Sequence, residues 1–505
     1  MQIEKLVKRK TQAQARNFDI RNTLQECYKY AMPEKAIYFD DNSGTKLKPR
    51  TDVFDSTIAI AVEKYANRLQ NQLVPTGKTW SLFKTGSEFP DEMTEQIQLQ
   101  LDEANDILFN HIRHSNFPLA VNEAFMDVSV SIGALIIEEG DGIQSNLHFR
   151  AVPPSELAFE QTIDGIIETV FRDFKMTPRQ IMAQYPNGDL GQKLTQLLAD
   201  APDVPVQISE AIIYNAKNDY THTVFFEDDK QVIYQENIES SPYVIFRESV
   251  LSGETFGFGR VMRLLPEIKT LNKAQEFALR TDALRSAPPV TVVDDGVVNV
   301  DTYVIKPNSF LPVSSNDSSA PSMRFMDVPS RNEPIMMIQE RQNLINEYML
   351  ANPFGNIHET PVRTATEMSI RNADLQQTSN SALSRFQVEL LESIIKRCVY
   401  ILKKSGELPD LKIDGKEVTL KFTSPMALQQ DREETAKLMD FLGTMQQTEL
   451  PPEQLMGAIK FEQFPKYLAE MLGIPQKLIR TQAEMQQMAQ AQQQAAMQQQ
   501  GEMVE

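Results

Sequence analysis

The sequence predicts an α+β fold of several modules, and three observations carry that reading. Between residues 147 and 247, short alternating apolar runs recur between Pro, Gly and Asp/Asn punctuation, the pattern of a strand-rich module. Over 260–285 and again over 334–350, apolar residues recur at helical spacing instead. A β-rich insert of roughly 45 residues separates those two helices, longer than the connections usual inside one compact domain. At 505 residues the chain exceeds what a single hydrophobic core organises, so two to four modules are expected.

Taken in order, Asp52-Val-Phe-Asp55 opens a helix whose apolar positions are Ile58, Ala61, Val62, Tyr65, Leu69 and Leu73. Pro75 and Gly77 end it. Residues 91–114 and 118–131 read as two further helices, and Gly133 marks the change to a strand over 134–138. The runs LHFRAV, ELAFEQ, IIETVFRDF, HTVFFEDD, QVIYQE and YVIFR then alternate like strands, with a helix over 178–185 among them.

A glycine-punctuated turn (Gly253, Gly257, Gly259) leads into the helix over 260–285, which spans roughly 37 Å. Pro266 in its first turns predicts a kink or a delayed start. Leu264, Ile268, Leu271, Ala274 and Ala278 form one stripe, with Lys269, Lys273, Arg280 and Arg285 off it. The answering helix over 334–350 carries Ile335, Ile338, Leu344, Ile345 and Met349 as its apolar positions. The loop over 351–361, with Gly355, Pro353 and Pro361, has little preference for helix or strand. Thr364 or Thr366 caps the next helix, with Glu367 at capping-box spacing from Thr364. That helix runs to about Lys404 on Leu375, Leu383, Phe386, Leu390, Leu391, Ile394, Ile395, Val399 and Leu402. A strand pair, DLKIDGKEVTLKF, follows with its turn at Asp414-Gly415. Beyond Met426 a helical pattern is broken by Pro451-Pro452, Pro465 and Pro475, and the last 25 residues, rich in Gln, Ala and Met, read as disordered or marginally helical.

Composition narrows the function. The hydrophobic fraction of 41% suffices for real cores and confines disorder to local stretches. Cys27 and Cys398 give no disulfide framework or metal cluster, and a reducing assembly compartment fits them. Lys5, Lys8, Arg9 and Lys10 have no apolar block behind them, unlike a secretory signal. The apolar run 134–137 is far short of a membrane span. A net charge of −19 argues against tight non-specific DNA binding, which needs a basic face to neutralise phosphates. Residues 1–50 hold eleven Lys/Arg against six Asp/Glu, and 425–505 hold six against eleven. Two solvated surfaces of opposite sign explain that better than a nucleic-acid arm.

Signals of catalysis fail on inspection. Gly77-Lys78-Thr79 looks like the end of a phosphate loop, but the first glycine would fall at Gln72, behind a helix rather than a strand. Gly253, Gly257 and Gly259 do not make a dinucleotide fingerprint. His111 and His114 share a helix face but lack further ligands at metal spacing, and read as surface or capping residues. No nucleophile-elbow or HExxH motif is present. Trp80 reads as core packing.

The stretch GR-x(5)-PEIKTLNKAQE (Gly259 to Glu276), the β-rich insert and RTATEMSIR (Arg363 to Arg371) together closely resemble the portal (head-to-tail connector) proteins of short-tailed bacteriophages, over about residues 50 to 440. The resemblance implies a wing over 1–259, a first stem helix over 260–285, a clip over 286–330 and a second stem helix over 331–350. It further implies a tunnel loop over 351–364, a spine helix with wing return strands over 365–424, a crown over 425–480 and a low-complexity tail over 481–505. By the same token it implies a ring of twelve subunits at a capsid vertex of the virion, assembled in the host cytoplasm. Double-stranded DNA would pass through it, and the partners would be the packaging motor (terminase), capsid and scaffolding proteins and a tail adaptor, with no membrane, no cofactor and no enzymatic activity. The candidates for touching DNA are Lys269, Lys273, Arg280, Phe354, Asn356, His358 and Arg363. Phe354 can instead pack on a neighbour, and Arg363 is better explained by a pair with Glu367 one helical turn on. The alternative is a DNA-processing enzyme of the packaging machinery, a nuclease or ATPase, which needs clustered carboxylates or a phosphate loop.

Overall fold

A computed structural model describes residues 3–16, 18–35, 52–86, 91–140, 142, 145–215, 219–293, 307, 309–313, 323–325, 333–351, 382, 384–409, 418–425 and 427. In chain order the elements begin with helices α1 (Ile3–Arg16), α2 (Phe18–Ala31) and α3 (Thr57–Leu73) and strand β1 (Ser81–Thr85). Helices α4 (Asp91–His114) and α5 (Phe117–Val130) follow, then β2 (Ile132–Glu139), β3 (Leu147–Ala151), β4 (Leu157–Gln161) and β5 (Ile167–Met176). Next come α6 (Pro178–Gln184), α7 (Gly191–Asp200), β6 (Val206–Tyr214), β7 (Tyr220–Phe226), β8 (Gln231–Ile238) and β9 (Tyr243–Arg247). The long α8 (Arg260–Ser286) precedes β10 (Val290–Val293), β11 (Phe310–Val313) and β12 (Met323–Phe325). Finally α9 (Glu333–Tyr348), a π-helical segment (Gln387–Glu392), α10 (Ser393–Lys404) and β13 (Val418–Phe422) close the described chain. The mixture of helix and sheet is the predicted α+β class.

The residues group into two compact units. The first holds Met1–Asn67, Leu119–Ile136 and Arg150–Leu391. Its base is an antiparallel meander, β4-β5-β6-β7-β8. One face of that sheet (Ala158, Phe171, Ala211, Ile213, Phe225) is covered by α1 through Leu6 and Ala13. The other face (Ile208, Val224, Phe226, Ile233) is covered by Ile181 of α6 and Leu194 of α7. Alternation along each strand thus fills two thin cores. Helix α6 is fixed at its start by Pro178 and a capping box between Thr177 and Gln180.

Lys10 lies on the buried stripe of α1 between Leu6 and Ala13, only 5% exposed. A lone ammonium there would be expensive. It is held instead by Asp173 at 2.9 Å, Ser209 at 3.0 Å and Glu227, while Arg9 pairs with Glu160 at 2.5 Å. Helix α2 is anchored through Asp127 of α5, which accepts from Tyr28 Oη at 3.1 Å and from Lys35 Nζ at 3.0 Å.

On the opposite sheet face, buried Glu210 binds His222 Nε2 at 2.7 Å and the hydroxyl of Tyr243. Burial by itself would push the Glu210 carboxyl up, but His222, Tyr243 and Arg172 together hold it below its ordinary 4.5. A carboxyl held down in the folded state adds stability above its unfolded value, and that increment is lost as pH falls through the lower folded value. Urea midpoints taken from about pH 6 to about pH 3 are therefore expected to drop more steeply for the native chain than for Glu210→Gln. Parallel curves would refute the assignment.

The second unit holds Arg68–Pro118, Ile137–Phe149 and Glu392–Glu505. Trp80, 1% exposed, packs edge-on to Phe109 at 5.1 Å and stacks on Phe117 at 6.3 Å, which meets Phe149 at 5.0 Å. That is the core role its position predicts. Helix α10 buries Ile394, Ile395, Val399 and Leu402, the positions predicted for the end of the third long helix, together with Cys398 and Ile401.

Several expectations need correcting. Helix α8 begins at Arg260, ahead of Pro266, so the proline does not delay its start. The described partner of β13 is β1, antiparallel from Ser81↔Phe422 to Thr85↔Val418, a pairing the sequence reading did not anticipate; the first strand of the predicted pair and its turn at Asp414-Gly415 lie outside the described residues. On α9 only Ile338, Ile345 and Met349 of the predicted apolar positions are buried, whereas Ile335 and Leu344 are exposed, because one narrow face meets α8. Most of the predicted spine helix, the crown and the tail also fall outside the described residues.

Candidate functional site

The candidate site is the pair of long helices and the loop that launches them. Gly257 and Gly259 pass so close to residues 129–131 that Ser131 Oγ donates to Gly257 O at 2.8 Å and Gly259 N donates to Val130 O at 3.1 Å. Helix α8 then starts on Arg260. Its guanidinium donates to Glu248 at 2.7 Å and to Tyr348 O at 2.6 Å, and lies 5.3 Å from the centre of the Tyr65 ring. The first residue of α8 is thereby tied to the last residue of α9. Arg341 pairs with Glu267 to hold the two helices together farther along. Val261, Leu264, Leu265, Ile268 and Leu271 are buried beneath them.

Asn272 closes this proximal half. Its side chain accepts from Phe54 N at 2.6 Å and donates to Asp52 O at 2.9 Å, satisfying a segment that no strand or helix pairs. Beyond it the character changes. Phe277 and Leu279 on α8 are 54% and 48% exposed, and Ile335, Met336 and Met337 on α9 are 54%, 62% and 53% exposed. Exposed apolar side chains grouped along two neighbouring helices are the usual raw material of an interaction surface.

The three predicted cations on α8 are off the buried stripe, and each has a partner in its own chain. Lys269 pairs with Glu26 of α2 at 3.0 Å, while Lys273 and Arg280 both pair with Glu276, at 2.8 and 2.5 Å. The hydrogen bond from Lys273, with Arg280 beside it, holds the Glu276 carboxyl below its ordinary value. Such pairs on a solvated helix contribute little, so Lys273→Ala or Arg280→Ala is expected to shift unfolding by no more than about 0.5 kcal/mol. Thermal denaturation of the two variants checks this. Phe354, Asn356, His358 and Arg363 lie outside the described residues.

Other chemical signals resolve into structure. Gly77 sits at φ +77° in the turn after α3, with no strand before it, so Gly77-Lys78-Thr79 has the wrong context for a phosphate loop. His111 is partly buried and pairs with Glu407, while exposed His114 bonds Asn110 O at 2.8 Å. Among the described residues no group of three or more His, Cys, Asp or Glu is placed to hold a metal, and no helix is long and apolar enough to cross a membrane. Burial pushes the Cys27 thiol up to about 12 and that of Cys398 higher still, which leaves both unreactive.

A family comparison covers these helices and nearly the whole chain: the profile described as bacteriophage head to tail connecting protein matches residues 4–479. The chain belongs to that family. Among solved structures, the connector is similar to a chain from the virion of a native gene transfer agent particle at 11% identity and a TM-score of 0.33, covering 80% of this chain and 93% of that one. It is similar to a chain from the neck of an empty gene transfer agent particle, computed with C6 symmetry, at 9% identity and a TM-score of 0.32, with 80% and 93% covered. It also matches a chain of the Epstein-Barr portal at 11% identity and a TM-score of 0.16, covering 79% of this chain and 80% of that one. No curated protein matches it. Sequence reasoning did not single out Arg260, at the first position of the long helix, or the buried Arg247 of β9; only the glutamates they meet in space, Glu248 and Glu389, reveal them.

Proposed function

We propose that this connector is the subunit of a twelve-membered ring at one capsid vertex, a passive conduit through which double-stranded DNA enters and leaves. The family match over residues 4–479 supports it, and the apolar distal faces of α8 and α9 are the observation that carries ring formation. Side chains such as Phe277 and Met336, a little over half exposed, each forgo roughly 1–2 kcal/mol by remaining in water, so association that covers them is favourable. A heterologous contact repeated by rotation closes into a ring. Lys273 and Arg280 against Glu276 leave one net positive charge on this stretch of each subunit, and in the ring these form a weak cationic band that steers DNA without arresting it. The motor, capsid and scaffolding proteins and the tail adaptor are the partners that follow from a connecting role at the vertex, with assembly in the host cytoplasm.

Mass photometry of the purified protein is expected to report a dominant species of twelve subunits. A strict monomer at micromolar concentration, with the helices intact by circular dichroism, would sink the reading. Replacing residues 352–359 by a short flexible linker is expected to leave that ring intact and to impair packaging or retention of DNA, since the stem helices carry the subunit contacts. Rings lost on deletion would instead make the loop an assembly element.

A further inference from the structure

Two turns at the edge of the five-stranded sheet expose apolar side chains that serve neither sheet core. The turn between β4 and β5 places Ile163 at its apex, 106% exposed, with Ile166 63% exposed beside it. The turn at residues 251–254 adds Leu251, 51% exposed. Neither is a loose loop. Gly165 N donates to Thr162 O at 3.0 Å, Thr162 N to Ile166 O at 2.9 Å, and Glu254 N to Leu251 O at 3.0 Å. Arg247 braces the two turns against each other, donating to Gly165 O and Thr255 O at 3.0 Å each, and Phe159 packs on Phe256 at 4.7 Å between ring centres. Three apolar side chains are therefore held out in water on a rigid mount, which lowers the ordering cost of binding.

Within the two turns the charge has one sign, and the cations that reach them from outside, Arg9 and Arg247, are each paired with a glutamate. Residues 160–168 and 250–259 contain Glu160, Asp164, Glu168 and Glu254 and no Lys or Arg, and of these acids only Glu160 is paired with a cation from outside, Arg9, among the bonds described. We infer that the two turns form a docking prong for a partner protein, other than another copy of this chain, that presents an apolar recess edged with lysine or arginine. Complementary potential favours such a partner. A second copy is a poorer match, because the cations beside its exposed Phe277 and Leu279 are bound to acids of their own helix. An anionic membrane would be repelled by the same acids.

The inference rests on the proposed place of this chain in a particle, and its test separates the two. In particles assembled with a photo-crosslinking phenylalanine at position 163, ultraviolet light is expected to join the chain to one other particle protein, through a peptide with Lys or Arg beside apolar residues. The same label at Gln235, exposed on β8, is expected to give about ten-fold less product. Ile163→Asp combined with Leu251→Asp is expected to lower the yield of complete particles about ten-fold while the purified oligomer keeps its size. A crosslink confined to a second copy, an unchanged particle yield, or flotation with anionic vesicles that the double variant abolishes would each overturn the prong as a protein dock. A wild-type chain that forms no ring would overturn the proposed function and leave the crosslink result to stand or fall alone.

Discussion

Gly259→Ala is expected to leave the first unit unable to reach its native fold. A Cβ at this position would lie 2.3 Å from Ser129 O and 2.5 Å from the carbonyl carbon and oxygen of Val130. All three are backbone atoms, so no side chain can swing away. The torsions of Gly259, φ −74° and ψ 168°, suit any residue, so the conflict is one of space alone. Overpacking of this kind costs about 3 kcal/mol or more, a large part of the roughly 5–15 kcal/mol that stabilises a domain. Gly257→Ala meets Ser131 O at 2.3 Å and should behave alike. Gly253 is the control: at φ +90° with nothing within 4 Å, it should accept Asn for about 1 kcal/mol or less. Urea denaturation and soluble yield report the difference, and a Gly259→Ala protein with the wild-type midpoint would show that the approach to α5 is not what launches α8.

Glu389→Ala is expected to be comparably severe. The Arg247 side chain is 1% exposed, and its charge is met by Glu389 at 2.7 Å, with a second Glu389 oxygen accepting from the Arg247 backbone N–H at 2.9 Å. Removing the carboxylate strands a guanidinium in the interior, at about 3–5 kcal/mol. The double variant Arg247→Met with Glu389→Leu should recover much of that loss, since it leaves no buried charge behind. A double variant no more stable than Glu389→Ala would mean that the packing, and not the unpaired charge, sets the cost. Arg385 also contacts Glu389, at 3.1 Å, so its removal should cost far less than that of Arg247.

What the sequence made legible was what local periodicity encodes. Helices α4, α5, α6, α8 and α9 fall within about two residues of the predicted spans, and the cations of α8 lie off its stripe as read. Lys273 three residues before Glu276 and Arg280 four residues after it even held their pairing in plain view. Elements whose buried face carries a polar residue were passed over. Helix α1 places Lys10 in the middle of its stripe, and β6 places Ser209 and Glu210 among its inward positions. Each is tolerable only because of partners far away in sequence, Asp173 for Lys10 and Tyr243 for Glu210, and a reading along one segment has no access to them. The pairing of β1 with β13 was hidden for the same reason.

That last pairing also sets an order of events during synthesis. Phe83 and Leu420 face each other across more than three hundred intervening residues, so at about 5–20 residues per second β1 waits roughly 20 seconds to a minute for its strand partner. An unpaired strand edge left open that long invites wrong pairing. Gln98 of α4 supplies a local guard: its amide nitrogen donates to Phe83 O at 2.8 Å, and its carbonyl oxygen accepts from Thr85 N at 3.3 Å. One edge of β1 is thus occupied as soon as α4 has emerged, and the nascent chain carries a single open flank until nearly all of it has been made.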